Sequence, residues 1–163
     1  TAYEIMPSLV GSEMCIRDRF GAHFSPDIIL GITEFKKPIN GQSVCRAVNG
    51  RVVANRHLLN RKLFGYTVID SYKAVMKLSV DEFKQLYGLS SERALVFTRV
   101  TTGRTPMVAV KVIGITPGMV VLHGPLKRVD PLGIRLAESL HVPLVHSHVP
   151  SVDELLEKLR HLE

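Results

Sequence analysis

Met119-Val-Val-Leu-His-Gly-Pro125 and Val142-Pro-Leu-Val-His-Ser-His148, with the helix starts Asp130-Pro131 and Ser151-Val-Asp-Glu154, decide the fold. Both runs open on apolar segments of strand length, the pattern of strands buried on both faces of a parallel sheet. Asp130 can accept from the first helix amides, and Pro131 has its φ preset for the first helical position. Ile134, Leu136 and Leu140 then fill one face of that helix. Ser151 and Glu154 form a capping box: the hydroxyl accepts the amide three residues on, and the carboxylate reaches back. Leu155, Leu156, Leu159 and Leu162 supply the apolar stripe that follows. Strand, helix, strand, helix with wholly apolar strands is a parallel βαβα unit, and it places the chain in the α/β class.

Outward from this unit the signals are local. Ser79-Val-Asp-Glu82 repeats the capping box and predicts a helix with Val80, Phe83 and Leu86 on one face, ended by Gly88. Ala94–Val100 and Met107–Ile115 are β-rich, joined by Thr101-Thr-Gly-Arg-Thr-Pro106. The alternation of Val108, Val110 and Val112 with Ala109 and Lys111 predicts a β-hairpin there. Tyr66–Ile69 predicts a strand ending at Asp70–Ser71, while Ala74–Leu78 fits either period. Val52–Phe64 predicts a helix stopped by Gly65. Asn40–Gly41 and Gly50 bracket a short helical piece containing Val44, Cys45 and Val48. Asp27–Phe35 predicts a strand closed by a Lys36-Lys37-Pro38 turn.

Composition narrows the class. A chain of 163 residues, 45% hydrophobic and 22% charged, suits one compact domain rather than a disordered or fibrous protein. No apolar stretch reaches the roughly 18–20 residues of a membrane span; Met107–Leu122 carries Lys111 and is broken by Pro117–Gly118. No basic flank followed by an apolar region opens the chain, so no secretory signal is read. Two cysteines, Cys15 and Cys45, are too few for a disulfide scaffold or a four-thiolate metal site. The expectation is a cytoplasmic chain with no membrane contact, no cofactor and no metal.

Charge is concentrated. Between Lys36 and Lys77 nine cationic residues face Asp70 alone, a local +8 in a chain of net +6. Such a segment attracts phosphate-bearing partners. Arg46, Arg51, Arg56, Arg61 and Lys62 are the candidate nucleic-acid contacts. Phe64, Tyr66 and Tyr72 are the segment's only aromatics, too few to predict a stacking platform.

A second candidate site follows from the βαβα reading. In open α/β sheets ligands bind beyond the carboxyl ends of the strands, where helix N-termini converge. His123, Gly124, His146, Ser147 and His148 occupy two such ends. Gly124 would let a phosphate approach the backbone, and Asp70–Ser71 is a third contributor if its strand joins the sheet. His146 and His148, two apart, would face the same way on an extended segment, with His123 or Asp130 as a third group. That spacing is not a metal signature. Thr102 and Arg104 sit in a polar turn whose amides and hydroxyls could hold an anion. It lacks the Lys-Ser/Thr of a Walker loop, and a strand is expected after it.

Two resemblances complete the reading. The order of an apolar strand ending in His123-Gly-Pro125, an Asp130-capped helix, Val142-Pro-Leu-Val145 and a final amphipathic helix resembles small Rossmann-like regulatory domains, among them the DRTGG-type ligand-sensing modules. It covers about residues 117–162 and implies a small Rossmann-like layered sheet and a regulatory role. It carries no site residue over, because the namesake pentapeptide is absent. Ile5-Met-Pro-Ser-Leu-Val-Gly-Ser-Glu-Met-Cys-Ile-Arg-Asp-Arg19 resembles a translated sequencing-adapter read-through. That implies a non-native or disordered segment over 1–19 and a single α/β domain over 20–163, the expected C-terminal part of a longer protein. The function expected is a regulatory module that binds a phosphate-bearing small molecule or nucleic acid through the basic segment, with self-association allowed. The alternative is a small enzyme acting on a phosphorylated or nucleotide-like substrate, using His123, His146 and His148 in one pocket with a basic residue such as Arg104.

Overall fold

Among the described residues six strands form one sheet: β1 (Ile29–Asn40), β2 (Gly50–Ala54), β3 (Lys62–Asp70), β4 (Ala94–Thr98), β5 (Met119–Leu122) and β6 (Leu144–Ser147), in the order β1-β3-β4-β5-β6-β2. The computed structural model describes residues 28–79, 81–82, 84–85, 92–114 and 116–163. Segment 1–19, Asp27, and the Val80–Phe83–Leu86 face with Gly88 lie outside them. β3, β4, β5 and β6 run parallel, and β1 and β2 close the two edges antiparallel. Helices α1 (Gly41–Ala47), α2 (Ser71–Lys77), α3 (Arg104–Ile113), α4 (Pro131–Leu140) and α5 (Val152–Arg160) cover both faces.

Each face has its own core. Ala74 of α2, Met107 and Val110 of α3, and Ala137 of α4 pack on Ile69, Leu95, Phe97, Val120, Leu122 and Leu144. Val44 and Cys45 of α1 and Leu155 and Leu159 of α5 pack on Val68, Val96, Val121 and Val145. Neighbouring residues of one strand thus enter opposite cores, which is why β5 reads Met-Val-Val-Leu without a polar residue. The α/β layered reading and the parallel C-terminal unit hold. So do the caps: Asp130 accepts from Leu132 N at 2.8 Å, Ser151 from Glu154 N at 3.2 Å, and both bonds of the Ser79–Glu82 box form.

Three local expectations are corrected. Met107–Ile115 is not the second arm of a hairpin: Arg104–Ile113 is helical, capped by Gly103 at φ 85° and Gly114 at φ 79°. The alternating valines have strand propensity, but the stripe of Met107 and Val110, at helical spacing, buries against the sheet and decides the outcome. Val52–Phe64 is not a helix. Val52 pairs with Val145 across the β2–β6 edge, Asn55 turns the chain at φ 55°, and Leu63 and Gly65 lie within β3. Lys36-Lys37-Pro38 is not a turn, since β1 continues to Asn40. Its register shifts between Glu34 and Ile39, and an edge strand with such an irregularity tolerates Pro38.

Candidate functional site

Because β3 to β6 are parallel, Asp70 and Thr98 at the ends of β3 and β4, and His123 and His148 just beyond β5 and β6, lie at one edge of the sheet. Asp70 ends β3 and caps α2, accepting from Lys73 N at 3.0 Å. Its buried carboxylate also accepts both contacts of Arg99 Nε, at 3.0 and 3.1 Å. Ser71 Oγ donates to Thr98 O at 2.8 Å and ties the ends of β3 and β4 together. Arg99 follows β4 in the left-handed region at φ 57°, with its guanidinium carbon 4.8 Å above the Tyr72 ring. Its terminal nitrogens have no acceptor among the described residues, and the side chain is 47% exposed. Held at Nε and on one face, the guanidinium keeps its outer fork for an anion.

Two clefts meet at this residue. The first, about 200 Å³, has Tyr72, Val75 and Met76 of α2 on one side and Thr101, Thr102, Gly103, Thr105 and Pro106 on the other. The second, about 350 Å³, is lined by His123, Gly124, Pro125, Val149, Pro150, Ser151 and Val152. Arg99 lines both. His123 is 6% exposed, with Nε2 2.8 Å from Val149 O. Its Nδ1 is the only buried side-chain polar atom among the described residues without a hydrogen-bond partner.

The predicted residues separate. His123, Gly124 and Thr102 line the clefts. Gly124 also has a packing role: a Cβ there would run into the Val100 backbone, whose amide donates to His123 O at 3.0 Å. Arg104 lines neither cleft, and its Nη2 donates to Asp130 Oδ2 at 3.0 Å. Ser147 Oγ donates to Val48 O at 2.7 Å and accepts from Val149 N. His146 is buried, its ring 4.3 Å from the exposed His148 ring. Burial first, then His148, His123 and Arg51, hold the His146 imidazole below its ordinary value, against a raising hydrogen bond with the Leu126 backbone. Of the residues the enzyme alternative names, the three imidazoles lie near one another, while Arg104 pairs with Asp130. Among the described residues no group of three or more His, Cys, Asp or Glu side chains is placed to hold a metal ion.

The basic segment is divided between the two ends of the sheet. Arg46 ends α1, and Arg51 pairs with His146 near the carboxyl edge. Arg56, Arg61 and Lys62 lie at the amino edge, where Arg61 Nη2 donates to His141 O at 2.9 Å. Arg61, Lys62, Phe64, Glu92 and Gly118 line a third cleft there. Arg99 escaped the sequence reading because the hairpin expectation turned it into an ordinary strand residue. Its signal was a cation directly after a buried apolar run, beside the Asp70 strand end.

No helix among the described residues is long and apolar enough to cross a membrane. No family model matches the chain. An uncharacterised HTH-type transcriptional regulator of Archaeoglobus fulgidus is 37% identical over 151 residues, 92% of this chain and 64% of that protein. An uncharacterised HTH-type transcriptional regulator of Methanocaldococcus jannaschii is 38% identical over 136 residues, 83% of this chain and 56% of that protein. The chain therefore spans less than two thirds of the length of either curated relative.

Proposed function

We propose that this α/β unit is the ligand-sensing module of a transcriptional regulator, and that its effector is a phosphate-bearing small molecule held at the carboxyl edge around Arg99. The single observation that carries the ligand is the Arg99 guanidinium, fixed through Nε on Asp70 with its fork unpaired between two clefts. The first-turn residues of α3 stand beside it, and helix N-termini favour anions. The regulatory role rests on the relatives' names. More than a third of each lies outside the match, room for a separate DNA-reading unit. A regulator of transcription works beside the chromosome, so this reading implies a protein inside the cell.

Calorimetric titration of the chain with inorganic phosphate and with glycerol 3-phosphate tests the reading. Saturable binding that Arg99→Ala weakens at least about tenfold is expected; no heat with either probe overturns it. A second reading keeps direct nucleic-acid contact through the amino edge, favoured by Arg61, Lys62 and the 44%-exposed Phe64 around the third cleft. Filter binding of duplex DNA against salt tests it, because backbone contacts weaken steeply with ionic strength.

A further inference from the structure

We infer that the two clefts beside Arg99 are one ligand site, and that its ligand is a phosphate monoester carrying both a hydroxyl group and an apolar body. The inference rests on the phosphate reading above and specifies what is attached to the phosphate. His123 supplies the acceptor for the hydroxyl. A carbonyl can only accept, so the 2.8 Å contact with Val149 O puts the proton on Nε2. In the neutral ring Nδ1 is then an acceptor. Its being buried without a partner, when buried polar side chains are otherwise paired throughout the described residues, marks capacity kept for something from outside. His123 lines the same cleft as Arg99, so a ligand whose phosphate sits on the guanidinium fork can turn a hydroxyl toward the imidazole.

Tyr72, Val75 and Met76 supply the apolar contact. They are 58%, 52% and 67% exposed on one short helix, and all three line the first cleft opposite its threonines. Arg99 already covers part of the Tyr72 ring, so a ligand body laid along α2 would continue a stack that has begun. The site thus reads three features at once: phosphate at Arg99, hydroxyl at His123, apolar surface at α2.

The test uses the whole chain and three probes: inorganic phosphate, phenyl phosphate and hydroxyphenyl phosphate. Phenyl phosphate is expected to bind about tenfold more tightly than inorganic phosphate, and the hydroxylated probe about tenfold more tightly again. His123→Phe should remove only the second gain, and Met76→Ser with Val75→Ser most of the first. Nitrogen-15 histidine spectra of the unaltered protein keep the test sharp if His123→Phe fails to fold. The Nδ1 resonance of His123 should shift with the hydroxylated probe and stay in place with phenyl phosphate. Equal affinity for the two aryl phosphates with an unmoved Nδ1 resonance overturns this inference and leaves the phosphate reading standing. Failure of all three probes to bind overturns both.

Discussion

Cations stand at both ends of the sheet, and their hydrogen bonds differ. At the amino edge Arg61 donates through Nη2 to His141 O, and the buried Arg93 donates to Thr33 O and Tyr66 O at 2.7 Å and to Thr67 Oγ1, while Arg56 and Lys62 are exposed. At the carboxyl edge Arg99 is held only through Nε, and His123 keeps an unpaired ring nitrogen. Counting cations along the chain favours segment 36–77; an anchored guanidinium beside a buried, unpaired ring nitrogen favours the carboxyl edge. Charge raises the local concentration of a partner, but directed, unpaired groups decide where it settles.

Paired glycines give the strongest break in the comparison. Gly124→Ala at the carboxyl edge pushes a methyl into the Val100 backbone, which cannot yield as a flexible side chain would. A loss of about 3 kcal/mol is expected in chemical denaturation. Gly114→Ala at the amino edge meets nothing within 4 Å and bears only its positive φ of 79°, so about 1 kcal/mol is expected. Equal losses would mean that the loops after β4 and β5 are not locked together.

Binding sharpens the contrast next. Arg99→Ala should weaken phosphate at least about tenfold, with some loss of stability because the Asp70 carboxylate, its side chain 9% exposed, loses its cation. Arg61→Ala should leave phosphate affinity unchanged. The reverse pattern would transfer the site to the amino edge.

A smaller effect lies in pH. His146 has a lowered value in the folded protein against an ordinary 6.5. Below 6.5 the unfolded chain takes up a proton that the folded one refuses, so this contribution is complete above 6.5 and fades as pH falls toward the folded value. Stability should therefore drop on acidification from neutrality, and His146→Gln should flatten that slope by up to one proton. An unchanged slope would contradict the burial of this ring among His148, His123 and Arg51.

How much of this was legible follows the range of the forces involved. The unit from Met119 to Leu162 was readable because its strands are apolar on both faces and its helices start on Asp130 and Ser151, signals confined to a few residues. The helix Arg104–Ile113 is not legible locally, because valine prefers strands while the burial of Met107 and Val110 against a distant sheet chooses the helix. Val52 and Leu63 misled for the same reason: helical spacing in sequence, but partners across β6 and β1 in space. His123, Gly124 and Thr102 were legible as strand-end and loop residues. Arg99 was not, because its meaning depends on Asp70 and Tyr72, 29 and 27 positions earlier, and no local pattern reports that meeting.

The most direct measurement is an amide chemical-shift titration of the whole chain with inorganic phosphate. The account predicts saturable shifts at Arg99, Thr102, Gly103 and Ser151, with Arg61, Lys62 and Phe64 unmoved. Saturable shifts confined to the amino edge, or none at either edge, would contradict it.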